Sequence, residues 1–379
     1  MDSQRKLCFF SAFSRHDDEV LTYRHNDALK AAGWETIYLV NDNEPDTEKK
    51  GLKIVGTGHS QRRNYLTRIF IAPFQSYKLL KRIDADVYQT WCLENMLICM
   101  LLKLHGKKIV FQLREEHPYL YMLNTNKPLW FRKMVVSVLL VLMKFFLRRF
   151  DYVLATGDDE GEILKELGVK RYKIQGNFPF VNWNFKLSLD DYLKREDRII
   201  YFGSIYNISC QEYLLKAMEQ TSNVKYLLAG RFRGNEYYHE SLMKFPKWSE
   251  VEFIDGFDPK ELDAFLSRST MSNVMRDFSK THFHNGNIGI IKIFESMEAG
   301  LPLICSDVPV YRKIWEKYKF GVLVDPTNPD QIAEAINYLK NNKEEAYRMG
   351  QEGRRAVIEN FNCEIVSKEY VSIINSIVS

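Results

Sequence analysis

Residues 285–307 run NGNIGIIKIFESMEAGLPLICSD. Gly286 and Gly289 leave the backbone free to approach a ligand closely. The apolar residues after them recur at helical spacing and predict a helix over 291–299. Gly300 and Leu301-Pro302 then lead into a buried strand over 302–305. A helix start behind a glycine loop offers unpaired N–H groups and the positive end of its dipole to an anion. Lys292 lies near that start, and Glu295 falls three residues on, on about the same face. These residue types suit a phosphate at the helix start and a pair of hydroxyls held by the carboxylate. The plain alternative is a solvated ion pair on an ordinary helix.

The same alternation runs outward from this stretch. Towards the N-terminus, residues 199–202, 224–229, 251–254 and 272–275 read as strands, and 321–324 follows as another. Helices fit between them at 210–220 and 259–267, and again at 329–340. A polar stretch around 186–197 interrupts the pattern, and ahead of it lies a second set: strands at 7–13, 35–40, 87–90, 108–113 and 152–155, with helices at 18–32, 65–82 and 96–105. Gly33 and Gly106 stand where helix C-caps are expected. Strand–helix alternation of this kind predicts an α/β fold with two doubly wound parallel sheets. The expected domains are 1–186 and 187–360, with a C-terminal helix over 361–379 packing back on the first. Ligands in such sheets bind beyond the carboxyl ends of the strands, here in a cleft between the halves.

A chain of 379 residues suits two domains. With 45% hydrophobic and 27% charged residues, disorder and coiled coil are excluded. Lys+Arg exceed Asp+Glu by 53 − 49 = 4, too weak a positive balance for a dedicated nucleic-acid binder. Six scattered cysteines without a CxxC suit a reducing compartment, and the N-terminus lacks a signal peptide's apolar region, so the expected location is cytoplasmic. There is no P-loop, G-x-S-x-G or HExxH motif, and residues 56–61 (GTGHSQ) lack the third glycine of a dinucleotide loop. Neither a metal nor another cofactor is expected.

One segment complicates a soluble reading. Residues 130–150 run WFRKMVVSVLLVLMKFFLRRF, with an apolar core of only ten residues, 134–143, interrupted by Ser137. A bilayer span needs about 20 such residues, so this is not a transmembrane helix. Trp130, Arg132, Lys133, Lys144, Arg148 and Arg149 flank the core and suit a helix lying on a membrane surface. A core helix with snorkelling ends is the other reading.

Several stretches resemble the retaining glycosyltransferases of family 4, with the GT-B fold. In the second half these are YFGS (201–204), KYLLAG (225–230), VEFIDGFDPKELDAF (251–265), KIFESMEAGLPLI (292–304) and NPDQIAEAI (328–336). DALKAAGWETIYLV (27–40), DADVY (84–88), EEHP (115–118) and NFP (177–179) are similar in the first half. The resemblance implies sugar transfer from a nucleotide-diphospho-sugar to a glycan acceptor, with retention at the anomeric carbon. It implies donor contacts at Glu295, Lys292, Gly289, Ile288 and Gly203, with Glu295 on the ribose hydroxyls. The first glutamate of the family's pair falls on Asn287, and the loop after Gly203 lacks the usual Arg and Lys, so Arg231 and Lys292 are the candidate replacements. His117 and Asn287 are the candidate catalytic residues, with His16, Glu115 and Asn177 on the acceptor side. With the basic, apolar 130–150 segment, the expectation is a lipid-linked acceptor at the inner face of the cell membrane, for a cell-surface polysaccharide. A catalytically impaired binding protein on the same fold is the alternative.

Overall fold

Parallel strands form the core of each of two units. The computed structural model describes residues 4–12, 14, 22–58, 72–114, 117–124, 127–234, 237–282 and 284–379. The first unit is Met1–Gly176 with Cys363–Ser379, and the second is Asn177–Asn362.

The first unit holds β1 (Lys6–Phe10), β2 (Glu35–Val40), β3 (Thr47–Lys49), β4 (Leu52–Gly56), β5 (Val87–Thr90), β6 (Lys108–Leu113), β7 (Tyr152–Ala155) and β8 (Tyr172–Ile174). They lie in the order β3-β4-β2-β1-β5-β6-β7-β8, all parallel except the edge pair β3–β4. Strands buried on both faces read as continuous apolar runs, which is why β1, β2, β6 and β7 were legible. β3, β4 and β8 were not foreseen. They are edge or near-edge strands carrying exposed Lys or Glu positions and three to five residues long.

The terminal helix Cys363–Val378 belongs to this unit, with Tyr370, Ile373 and Ile374 in one core with Leu7, Leu29 and Val87. The Trp34 indole N–H donates to Asn375 Oδ1 at 3.0 Å, and the His25 ring stacks on Tyr370 at 4.3 Å.

The second unit holds β9 (Arg198–Phe202), β10 (Lys225–Ala229), β11 (Val251–Ile254), β12 (Met271–Asn273), β13 (Leu303–Ser306) and β14 (Gly321–Val324). All are parallel, in the order β11-β10-β9-β12-β13-β14. Strand order reverses between β9 and β12, so the crevice for a ligand opens beyond their carboxyl ends. The second unit begins at Asn177 where the sequence suggested 187, because residues 177–186 pack on it. Phe178 meets Phe294 and Phe361 edge-on at 4.7 and 5.4 Å. Arg354 Nη2 donates to the Asn182 carbonyl at 2.7 Å, and its Nη1 reaches Glu298 Oε1 at 2.6 Å.

The helix Leu129–Leu147 sits in the crossover from β6 to β7. It buries only Val136, Met143 and Leu147 and leaves Trp130, Met134, Val138, Val141 and Phe145 exposed. The fully buried version of this helix is therefore ruled out. Among the described residues no helix is long and apolar enough to cross a membrane.

Candidate functional site

The strand ends at the reversal point of the second unit are lined by glycine. Gly203 follows β9, Gly230 follows β10 and Gly256 lies beyond β11, with φ of +93°, +154° and +76°. A Cβ on Gly230 would fall 1.8 Å from the Gly203 carbonyl oxygen, so no other residue fits there without moving backbone. Gly203 N–H donates to the Ala229 carbonyl at 2.9 Å, and Ile205 N–H to the Arg231 carbonyl at 2.9 Å, which extends the ladder past the strands.

This floor meets the start of the helix Ile291–Glu298. Lys292, the second residue of that helix, donates from Nζ to the Tyr201 hydroxyl at 2.6 Å and leans over the ring. A Cβ on Gly203 would lie 3.8 Å from the same ammonium. Tyr201 Oη in turn lies 2.8 Å from both the Ser204 carbonyl and Ser209 Oγ, donating its single proton to either. The ammonium is thus pinned over the loop after β9, where the sequence lacks basic residues. Sequence reasoning found Lys292 and Gly203 but not Tyr201, which reads as an ordinary strand residue and is joined to Lys292 only across 91 positions.

Arg231 is exposed beside Gly256, where a Cβ would come within 2.7 Å of its Nε. Its guanidinium has no hydrogen-bond or ion-pair partner among the described residues. Arg276, beyond the end of β12, was also missed. It is half-buried, its Nε is buried without a partner, and its backbone is clamped by Ser306 in both directions at 2.8 Å. Three cations thus stand on the carboxyl-edge loops of one sheet. Glu295 lies half-buried one turn along from Lys292.

The glycine loop before the helix is held by its own side chains. Asn287 Oδ1 accepts from the Gly289 N–H at 2.6 Å, and Tyr311 Oη donates to the Asn287 carbonyl at 2.9 Å. The Asn287 oxygen thus accepts one bond within this turn, with half-buried Ile288 at its tip. Val308 packs where a Cβ on Gly286 would sit, 2.6 Å away. The first helical turn has no side-chain cap; the Ile293 N–H already donates to the Ile290 carbonyl at 3.3 Å, which leaves the N–H groups of Ile291 and Lys292 to face an anion.

In the first unit, His16 and Glu115 lie outside the described residues, and His117 opens the helix His117–Asn124 with its side chain outside them as well. Asn177 is half-buried and begins the second unit. A polar chain that the sequence did not suggest lies along the carboxyl ends of β5 and β6. Tyr370 Oη donates to Gln89 Oε1 at 2.5 Å, and Arg114 donates through Nε and Nη2 to Gln112 Oε1 at 3.2 and 3.0 Å while stacking 3.6 Å over Trp91. Beyond β8, Gln175 is 5% exposed, with neither amide atom bonded among the described residues.

All six cysteines are buried thiols. Burial raises their thiols where a shift is resolved, Cys92 to about 11, which disfavours the thiolate a nucleophile needs. Among the described residues no group of three or more His, Cys, Asp or Glu side chains could hold a metal ion.

Residues 191–356, wholly inside the second unit, match the family Glycosyl transferases group 1. Spore coat protein SA of Bacillus subtilis (strain 168) is 25% identical over 190 residues, a stretch covering 46% of this chain and 48% of that protein. The match therefore spans about half the length of this curated relative. Sucrose-phosphate synthase from Thermosynechococcus elongatus superposes with a TM-score of 0.75 at 16% identity, covering 98% of both chains. HepE of Anabaena, solved in complex with UDP and glucose, gives a TM-score of 0.70 at 13% identity over 98% of this chain and 100% of its own. These likenesses show the fold, two parallel-sheet α/β domains of GT-B type.

Proposed function

We propose that this chain, whose second unit carries a glycosyl transferases group 1 domain, transfers a hexosyl group from a nucleotide-diphospho-sugar to a glycan acceptor with retention, in the manner of family 4. The observation that carries the reading is the Lys292 ammonium, pinned by Tyr201 over Gly203 at the point where strand order reverses. A diphosphate held there meets the uncapped helix start and Lys292, with Arg231 within reach of the same edge. Charge developing on the leaving diphosphate is stabilised by these fixed donors, and no resident metal or cofactor is required. Glu295 accepts the ribose hydroxyls. His117 and Asn287 serve the transferred sugar, and His16, Glu115 and Asn177 serve the acceptor. The Anabaena neighbour's complex with UDP and glucose makes uridine the first base to test.

The acceptor in this reading is a lipid-linked glycan on the way to a cell-surface polysaccharide. The enzyme is cytoplasmic and docks through the Leu129–Leu147 helix on the inner face of the membrane. Trp130, Met134, Val138, Val141 and Phe145 support this: at about 3.6 residues per turn they share a single exposed stripe. Arg132, Lys133, Lys144, Arg148 and Arg149 flank it.

A second reading, a binding protein with impaired catalysis, is favoured by Asn287, which puts an uncharged amide, its oxygen accepting from the Gly289 N–H, where the family has a carboxylate. Two measurements separate the readings. Nucleoside diphosphates should raise the melting temperature under both. Release of free nucleoside diphosphate from the nucleotide-sugar in the presence of acceptor occurs only under the first. No thermal shift with any nucleoside diphosphate would overturn both.

A further inference from the structure

On the amino-terminal edge of the first unit's sheet, away from the carboxyl edge, lies a cavity of about 330 Å³. It is lined by the segments just before β7 and β8 and by the end of the helix Met96–Leu104. Five lining side chains are cationic, Lys103, Arg148, Arg149, Lys170 and Arg171, and one, Asp151, is a carboxylate. Asp151 is already used: its Oδ2 accepts from Lys103 Nζ at 2.8 Å and from the Ile109 N–H at 2.9 Å. Arg149 lies 3.8 Å over the Phe145 ring and donates to the Phe145 carbonyl at 2.7 Å. Arg148, Lys170 and Arg171 have no carboxylate partner among the described residues. Gly168, with φ +69°, turns the chain beside the Arg148 guanidinium, whose Cζ would stand in ordinary contact, 4.0 Å, from a Cβ there. Cations gathered around a concavity repel one another, and a compact anion relieves that repulsion.

We propose that this cavity binds the headgroup phosphate of an anionic glycerophospholipid. The inference rests on the reading of the Leu129–Leu147 helix as the membrane face, and it specifies which part of that face recognises lipid. Continuity selects a lipid over free phosphate. Arg148 and Arg149 also line a shallow depression with Val141, Lys144 and Phe145, so the cavity runs directly onto the exposed apolar stripe. A phosphate in the cavity puts its glyceride at the stripe, with the Arg149 stem and Phe145 between the polar and apolar parts.

The test is sedimentation of the full chain with vesicles of phosphatidylcholine alone and of an equal mixture with phosphatidylglycerol. Four proteins are compared at low salt: wild type, the cavity variant Lys170→Glu/Arg171→Glu, the equal-charge control Lys127→Glu/Lys133→Glu at the other end of the helix, and the stripe variant Val138→Glu/Val141→Glu. Wild type should bind the anionic vesicles alone and be released by high salt. The cavity variant should lose roughly tenfold more affinity than the control, although both change charge equally. Soluble glycerol phosphate should displace wild type and leave the residual binding of the cavity variant unchanged. Unchanged melting temperatures ensure that the losses are not unfolding, and the milder Arg171→Gln serves if the double variant is unstable. Equal losses in cavity and control variants overturn the headgroup site while leaving the membrane face standing. Binding that survives in the stripe variant but fails in the cavity variant supports the site and overturns the stripe's part. Wild type that stays in the supernatant overturns both.

Discussion

The helices Ile291–Glu298 and Leu129–Leu147 are both crossovers between neighbouring parallel strands, and both are rich in apolar residues. The shorter one buries Ile293, Phe294, Ser296 and Met297 to 1% exposure or less. It is enclosed because the helix Lys343–Asn360 packs along it: Gly353 lets Met297 in, and a Cβ on Gly350 would fall 2.0 Å from the Gly300 carbonyl. The longer one exposes Trp130 to 68% and Val141 to 67%. Apolar content alone thus does not say where a helix sits; the second layer does. Where that layer is present, a polar side chain such as Glu298 is held in place by Arg354. Where it is absent, the apolar face is left for something outside the unit.

The strongest way to break this comparison is through the tie that holds the shorter helix. Arg354 and Glu298 are about nine-tenths buried at 10% and 13% side-chain exposure, and their ion pair is 2.6 Å long. Arg354→Ala leaves a buried carboxylate unpaired and should cost about 3–5 kcal/mol, read as a lower urea midpoint. A loss below about 1 kcal/mol, the range of exposed pairs, would mean that the second layer does not hold this helix. Next comes Glu295→Gln, which should weaken nucleoside diphosphate binding roughly ten- to a hundredfold, by about 1.5–3 kcal/mol, with the melting temperature of the free protein unchanged. Unaltered affinity would remove Glu295 from the donor site. Lys292→Ala and Arg231→Ala should each lower turnover more than they lower binding of the nucleoside without phosphates. Arg231, being exposed, should show the smaller effect. Equal losses for both ligands would assign the two cations structural roles. The smallest effect is expected at Val141→Ser on the open helix, within about 0.5 kcal/mol of wild-type stability. A larger loss would show that the stripe is covered after all.

Much of the site was legible because its signals are local. Gly286, Gly289, Lys292 and Glu295 fall within ten residues, and helical period places the last two on one face. Tyr201 and Arg276 carry no such signal. One is an aromatic in a strand, where aromatics are ordinary, and the other follows a strand of only three residues. For Asn287, named from the sequence as a candidate beside the sugar, the tertiary structure adds a local Asx-type bond from the Gly289 N–H to its oxygen, which spacing alone does not reveal.

The sequence by itself determined that this is an α/β protein of two doubly wound halves, because strands buried on both faces must be apolar and crossovers must be amphipathic. It also determined the glycine loop and the helix behind it, since Gly286, at φ +91°, holds a backbone that glycine tolerates best and the apolar residues that follow recur at helical spacing. Tertiary structure decided the rest. It placed residues 177–186 in the second unit through Arg354 and Phe178, and it closed the first unit with the terminal helix through Tyr370 and Trp34. It seated Lys292 on Tyr201 and gathered Lys103, Arg148, Lys170 and Arg171 around one cavity. Each of these pairs residues far apart in the chain, and a contact across such a separation leaves no periodicity for a single sequence to show.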